Sequence, residues 1–278
     1  LSSFININGQ LLRSDAPAVP ADSRAFRYGY GLFETMFVRD GHIRLAAYHW
    51  ERLKAGMDAM RIKAPAFFFD ELKTSLAQTL RRNQHENLGR ARLQVWPSSG
   101  GYDDGDDFTA AYCIETFPLS EEILQPNQNG LIAGVAAGIV KSADDFSHIK
   151  SCNALPYALA ARYAKARQWD DAIILNQHHR IADSTIANFF WVEGEKIFTP
   201  PLSEGCVDGV MRRHLLVQLP QWGYEVREQA VAQPMHDDVS GIFLTNAIRG
   251  IRRVSMIGTR SYDCGIVADL QQKLLRSF

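Results

Sequence analysis

The chain has 278 residues, 46% hydrophobic and 22% charged, a composition that excludes disordered, collagen-like and coiled-coil classes. Thirty Lys and Arg against thirty-one Asp and Glu leave a net charge of -1. No broad field therefore draws the protein to nucleic acid or anionic lipid, and the expected partner is a small molecule or a second copy of the chain.

Residues 4–12 alternate apolar and polar side chains and read as strand. The glycine-rich stretch Tyr28-Gly29-Tyr30-Gly31 leads into a strand rather than a helix, which removes a dinucleotide-fingerprint reading. Residues 34–45 split at Asp40-Gly41, a dipeptide that closes hairpins. Trp50, Leu53, Met57 and Met60 recur at spacings of three and four and predict a helix over 48–62, followed by a second over 67–82. Strands are expected at 92–96 and 110–116. Between them, the aspartates of 103–107 read as a solvated loop, since the stretch lacks the full ligand spacing of a calcium loop.

Residues 118–130 carry Pro, Asn, Gln, Ser and Glu and form the best linker signal, which places a boundary at 119–128. Beyond it come a strand at 131–137, a helix over 155–168, strands at 172–175, 189–192 and 196–199, and a helix over 210–219. His178-His179 lies in a polar stretch between strands and reads as a hairpin turn before a metal site. The mixed order predicts an α+β fold with an N-terminal domain over 1–118 and a C-terminal domain over 129–278.

Cys113, Cys152, Cys206 and Cys264 are far apart and form no Cys-x-x-Cys pair, so neither a zinc site nor a disulfide framework is expected. His148 near Cys152 does not by itself place a base on that thiol. The longest apolar stretches, such as 131–140, are broken by glycine and too short for a bilayer of about 30 Å. No signal peptide is visible, which predicts a cytoplasmic protein, and Leu1 implies that the sequence begins after a native start or a removed tag.

Four separated pieces carry a more specific signal: HWERL at 49–53, KSCNALPYALA at 150–160, RIADSTIANFFWV at 180–192 and TPPLSEGCVDGVMRR at 199–213. Together they resemble the fold-type IV, or class IV, pyridoxal-phosphate enzymes, which include branched-chain aminotransferases, D-amino-acid aminotransferases and aminodeoxychorismate lyases. The resemblance runs over about residues 4–257. It implies two α+β domains with the cofactor cleft between them, pyridoxal 5′-phosphate as cofactor, amino-acid and 2-oxo-acid substrates, and a homodimer.

The residues suit such chemistry, which needs a lysine to hold the cofactor, an acid for its pyridine nitrogen and a cradle for its phosphate. By resemblance, Lys150 is the Schiff-base lysine and later moves the substrate's proton, a task that requires a lowered amine pKa. Asp183 stands where the family usually carries glutamate, so the pyridine nitrogen must lie closer to the backbone or be reached through water. Arg52 matches the arginine that binds the phosphate; otherwise it would be a solvated residue beside the helix's apolar stripe. Gly209 precedes Val210 and Met211 at a helix start, where free N–H groups suit a phosphate. Val207 would pack on the ring, and Asn246 and Ala247 would close the phosphate cup.

Substrate residues are less sharply marked. Branched-chain enzymes place tyrosine five residues after the lysine, where this chain has Leu155, as in the D-amino-acid and lyase branches. Those branches often carry Arg-Gly where this chain has Pro97-Ser98, and the usual Gly-Asp-Gly is Gly29-Tyr30-Gly31 here. Arg92 is the candidate cation for a substrate carboxylate, with a solvated or inter-subunit ion pair as the alternative. Tyr28 and Phe33 fall where the family builds its side-chain pocket and would favour apolar or aromatic substituents. The expected activity is amino-group exchange between an amino acid and a 2-oxo acid. Its rivals are aminodeoxychorismate lyase, which releases pyruvate by β-elimination, and a cofactor-binding protein without turnover.

Overall fold

The computed structural model describes residues 3–16, 19–98, 108–233 and 235–278. The acidic stretch 103–107 lies outside the described residues. By their contacts the residues group into two units, Leu1–Ile123 with Lys150–Asn153, and Leu124–Ile149 with Ala154–Phe278.

In the first unit, the alternating residues at the start make two short strands, β1 (Phe4–Ile7) and β2 (Gln10–Arg13), because the chain turns at Asn8-Gly9. A short helix α1 (Arg24–Tyr28), not foreseen from the sequence, precedes β3 (Leu32–Arg39), which pairs with β4 (His42–Ile43) across the expected turn at Asp40-Gly41. Helices α2 (Ala46–Ala59) and α3 (Phe68–Asn83) match the periodic stretches, and β5 (Leu88–Pro97) and β6 (Ala110–Pro118) complete the unit.

The strands form one sheet in the order β2-β1-β6-β5-β3-β4. Strand periodicity divides it into two faces. Leu32, Glu34 and Met36 on β3 share a face with Leu93, Val95 and Ile114, all buried, and α2 and α3 supply Leu53, Met57, Leu72 and Leu76 to this side. Phe33, Arg92 and Glu115 lie on the other, half-buried face.

The second unit begins inside the expected linker, where a short 3-10 turn spans Glu121–Leu124. Strand β7 (Leu131–Lys141) runs four residues past its expected end. It is followed by α4 (Leu155–Ala166), β8 (Asp171–Asn176), β9 (Ile181–Ser184), β10 (Asn188–Glu193), β11 (Lys196–Thr199) and α5 (Val210–Gln221). The chain ends with β12 (Glu225–Glu228), β13 (Val239–Asn246), β14 (Gly250–Ile257), β15 (Arg260–Ser261) and α6 (Gly265–Arg276).

Strand β9 pairs with both β8 and β10, so β10-β13-β14-β7-β8-β9 closes into a ring, with Asp183 opposite Asn188 as the closing pair. Ala133, Ile173, Ile181, Phe189, Trp191, Ile242, Leu244 and Val254, drawn from all six strands, form one buried cluster. A second cluster of Ala136, Ala160, Ala164, Ala172 and Ile174 joins β7 and β8 to α4.

The two clusters explain how Asp183 is aimed. Ile181 pairs with Leu175 and belongs to the ring cluster, whereas Asp183, two residues on, pairs with Ile174 of the α4 cluster. One step on β8 is matched by two on β9, a β-bulge that re-aims the side chain. Plain alternation would have put Asp183 on the same side as Ile181.

Candidate active site

Lys150 enters the first unit as a short strand-like segment beside β3. Phe33 N–H donates to the Lys150 carbonyl at 3.0 Å, Cys152 N–H donates to the Gly31 carbonyl at 2.8 Å, and Ser151 bridges to Leu32. The sequence expectation put Lys150 in the C-terminal domain; its contacts belong to the first unit. Its Nζ lies 4.3 Å from the centre of the Phe33 ring, and the Arg92 guanidinium lies 4.1 Å from the same centre. Arg92 also stands 3.9 Å from Glu115 Oε2 on the neighbouring strand while remaining next to the ring. Tyr28 ends α1 and is exposed.

Arg52 is not the solvated flank of a helix. It is buried, and its Nε and Nη2 donate to the two oxygens of Glu34 at 2.8 and 2.5 Å. His49, one helical turn earlier, meets Glu34 Oε2 through Nδ1 at 2.5 Å. Burial alone would raise the Glu34 carboxyl, but the Arg52 charge and the bonds from His49 and Arg52 hold it down to about 2. This cluster lies on the helical face of β3, opposite Phe33 and Arg92.

In the second unit Asp183 is 2% exposed. Its Oδ2 accepts from Tyr157 Oη at 2.8 Å and Val207 N–H at 2.8 Å and lies 3.5 Å from Lys141 Nζ. Its Oδ1 accepts from Asn188 Nδ2 at 3.0 Å. Burial pushes this carboxyl up, against the pull of Lys141 and the three hydrogen bonds. Val207 thus wraps the acid with its backbone: its carbonyl accepts from Asn188 Nδ2 at 2.7 Å and from Gly209 N–H at 2.8 Å.

Gly209 is the N-cap of α5, and no side chain caps that helix, whose first residues Val210 and Met211 are 2% and 1% exposed. A helix start so buried needs an acceptor for its N–H groups. A side chain at 209 is excluded, because a Cβ there would stand 1.9 Å from Asn188 Oδ1. Thr245, opposite Asn188 across β10 and β13, has a buried Oγ1 with no partner among the described residues. The Asn246 side chain folds onto its own turn, accepting from Ile248 N–H at 3.0 Å and Arg249 N–H at 2.8 Å, so it shapes the loop holding Ala247.

Three of the four thiols read as inert. Burial pushes Cys152 up to about 11 and Cys113 and Cys206 up to about 12. His178 and His179 lie in the turn between β8 and β9.

The structure therefore brings together Lys150, Phe33 and Arg92 in one unit, and Asp183, Val207 and the start of α5 in the other, while Arg52 is joined to Glu34 and His49. Sequence reasoning did not single out Glu34, Lys141, Tyr157 or Asn188. Two signals were present: Asn188 is polar within the apolar run ANFFWV, and Tyr157 precedes the buried Ala160 and Ala164 at helical spacing.

The profile of the family described as "Amino-transferase class IV" matches residues 31–257. An aminodeoxychorismate lyase of Vibrio harveyi is 27% identical over 241 residues, covering 86% of this chain and 87% of that protein. Among solved structures, 4-amino-4-deoxychorismate lyase from Pseudomonas aeruginosa superposes with a TM-score of 0.86 at 23% identity, covering 99% of each chain. A branched-chain amino acid aminotransferase from T.th., complexed with N-(5'-phosphopyridoxyl)-L-glutamate, gives 0.85 at 20% identity, covering 100% of this chain and 94% of that one. The two structural likenesses establish the fold, α+β of fold-type IV, and the profile match over most of the chain establishes that it belongs to the class IV aminotransferase family, whose enzymes use pyridoxal 5′-phosphate.

Proposed function

We propose that the protein is a pyridoxal-phosphate-dependent aminotransferase that exchanges an amino group between an amino acid and a 2-oxo acid. The observation that carries this reading is the pair of cations at one ring: the Lys150 amine at 4.3 Å and the Arg92 guanidinium at 4.1 Å from the centre of Phe33. A small amino acid needs both groups, a base for its α-proton and a cation for its carboxylate.

The residues present fit the cofactor. A buried carboxylate at Asp183, a buried and uncapped helix start behind Gly209 and the orphaned Thr245 hydroxyl are what a protonated ring bearing an anionic arm would require. When bound, pyridoxal phosphate supplies an electron sink for the substrate α-carbon. Lys150 would hold the cofactor through its amine and, once released, move the α-proton. Asp183 would hold a proton at the pyridine nitrogen. The amides of Val210 and Met211 and the loop of Asn246 and Ala247 would bind the phosphate. By family resemblance Arg52 would bind the phosphate, while its Nε and Nη2 donate to Glu34. Arg92 would orient the substrate carboxylate beside the wall made by Phe33, with Tyr28 nearby in sequence. By family resemblance we propose a homodimer, which light scattering of the purified protein checks.

A second reading, aminodeoxychorismate lyase, is favoured by the Vibrio harveyi relative and by Leu155, five residues after the lysine. A panel of amino donors with 2-oxoglutarate or pyruvate separates the two. Transamination gives a pyridoxamine form absorbing at shorter wavelength, whereas the lyase releases pyruvate and an aromatic amine with no acceptor present. Borohydride should trap the cofactor on Lys150, and Lys150→Ala should lose roughly 10⁴-fold in turnover. A fully active Lys150→Ala protein would end the proposal.

A further inference from the structure

The second unit holds a buried lysine that the roles above do not use. Lys141, at the end of β7, is 6% exposed, and its three donors are all engaged: with the Ser147 carbonyl at 2.9 Å, the Gly205 carbonyl, and Asp183 Oδ2 at 3.5 Å. An ammonium has three donors and accepts nothing, so this lysine is fixed. Tyr157 reaches the same oxygen from α4, and its ring lies 5.1 Å from Lys141 Nζ.

The acceptor count on Asp183 is uneven. A carboxylate offers about four acceptor positions, two on each oxygen. Tyr157, Val207 N–H and Lys141 crowd Oδ2, whereas Oδ1 receives Asn188 alone among the described residues. One position on Oδ1 is therefore left for a donor outside the protein.

We propose that Lys141 and Tyr157 are positioning residues for the cofactor's ring nitrogen: they occupy Asp183 Oδ2 and turn Oδ1, the oxygen with one acceptor position left, toward the pyridine N–H. The proposal rests on the reading of the protein as a pyridoxal-phosphate enzyme. It accounts for a carboxylate one methylene shorter than the family's usual glutamate, since the β9 bulge and the grip on Oδ2 fix where the shorter arm points. Charge agrees with geometry. Burial pushes the Asp183 carboxyl up, and among the groups opposing it Lys141 comes first. Burial also pushes the Tyr157 hydroxyl well above its ordinary value, so it stays a donor.

The test uses the full chain loaded with pyridoxal phosphate labelled with ¹⁵N in the ring, comparing wild type with Lys141→Met, Lys141→Arg and Tyr157→Phe. In wild type the ring nitrogen should give the protonated signal. Lys141→Met should move that signal toward the unprotonated position and lower kcat about 10- to 100-fold, the scale carried by partners standing behind a direct ligand, with KM for the donor unchanged. Lys141→Arg should restore both, and Tyr157→Phe should shift the signal and kcat in the same direction by less.

A Lys141→Met protein whose kcat falls while the ring nitrogen stays protonated overturns the proposal, because Lys141 would then merely tie down the loops at Ser147 and Gly205. Should Lys141→Met fail to fold, Tyr157→Phe with a wild-type signal and wild-type kcat overturns it. Wild-type protein that takes up no cofactor overturns the functional reading itself and this inference with it; wild type that binds cofactor with unaffected variants overturns this inference alone.

Discussion

Glu34 and Asp183 are both carboxylates closed off from water beside a cation, yet they end on opposite sides of their ordinary range. Glu34 takes both prongs of an arginine at 2.8 and 2.5 Å with a histidine at 2.5 Å, and is held down to about 2. Asp183 has its cation at 3.5 Å, shared with two carbonyls, and burial pushes it up. Coulomb attraction falls with distance while the desolvation penalty is similar for both acids. The difference separates two jobs. Glu34 locks a cation in place, whereas Asp183 keeps an acceptor position available.

The largest effect that would break this contrast is expected from Glu34→Gln, which leaves the buried Arg52 guanidinium without its anion. It should cost about 3–5 kcal/mol in urea unfolding. A cost as small as that of an exposed pair would show that Arg52 is held by something else.

Acidification of the cofactor-free protein comes next. The folded Glu34 carboxyl sits near 2 against an ordinary 4.5, so the unfolded chain binds the proton first; stability present above pH 4.5 is lost as pH falls toward 2, by on the order of 3 kcal/mol. Asp183 has the reverse sign. Its folded carboxyl holds the proton more tightly than its ordinary 3.8, so its contribution falls as pH rises through the window just above that value. Urea midpoints between pH 2 and 7 should lose the acid limb in Glu34→Gln and flatten above 3.8 in Asp183→Asn. An unchanged acid limb in Glu34→Gln would contradict the assignment.

Asp183→Asn should itself cost less than Glu34→Gln, about 2 kcal/mol, because charge-assisted bonds are weakened while burial of a charge is relieved. Equal losses for the two would erase the contrast. The smallest effect is expected from Asn188→Ala, about 1 kcal/mol in the same assay, and a neutral result would mean that the pair closing the β9–β10 contact adds nothing to the ring.

The fold was legible where one period dominated. The i, i+3, i+4 stripe of α2 and the Asp40-Gly41 hairpin appear close to where the pattern puts them. Strand β9 was not legible, since a four-residue strand with a bulge has no alternation to read, and that strand carries Asp183. Of the candidate site, the motifs mark Lys150, Arg52, Asp183 and Gly209 as positions. What surrounds them came from long-range pairing: Glu34 and Arg52 are 18 residues apart, and Lys141 and Asp183 are 42. No local pattern signals a partner at that separation.

One asparagine gives the second unit a form of crosstalk. Asn188 grips Asp183 with its Nδ2, while its Oδ1 stands where a Cβ at 209 would intrude. Adding a single methyl by Gly209→Ala would push Asn188 aside and loosen its grip on Asp183, so a change made at the start of α5 would be felt at the acid on β9. On the proposed reading, affinity for phosphate and protonation of the ring could then not be tuned independently through position 209. Any attempt to enlarge residue 209 must first find the asparagine another place to turn.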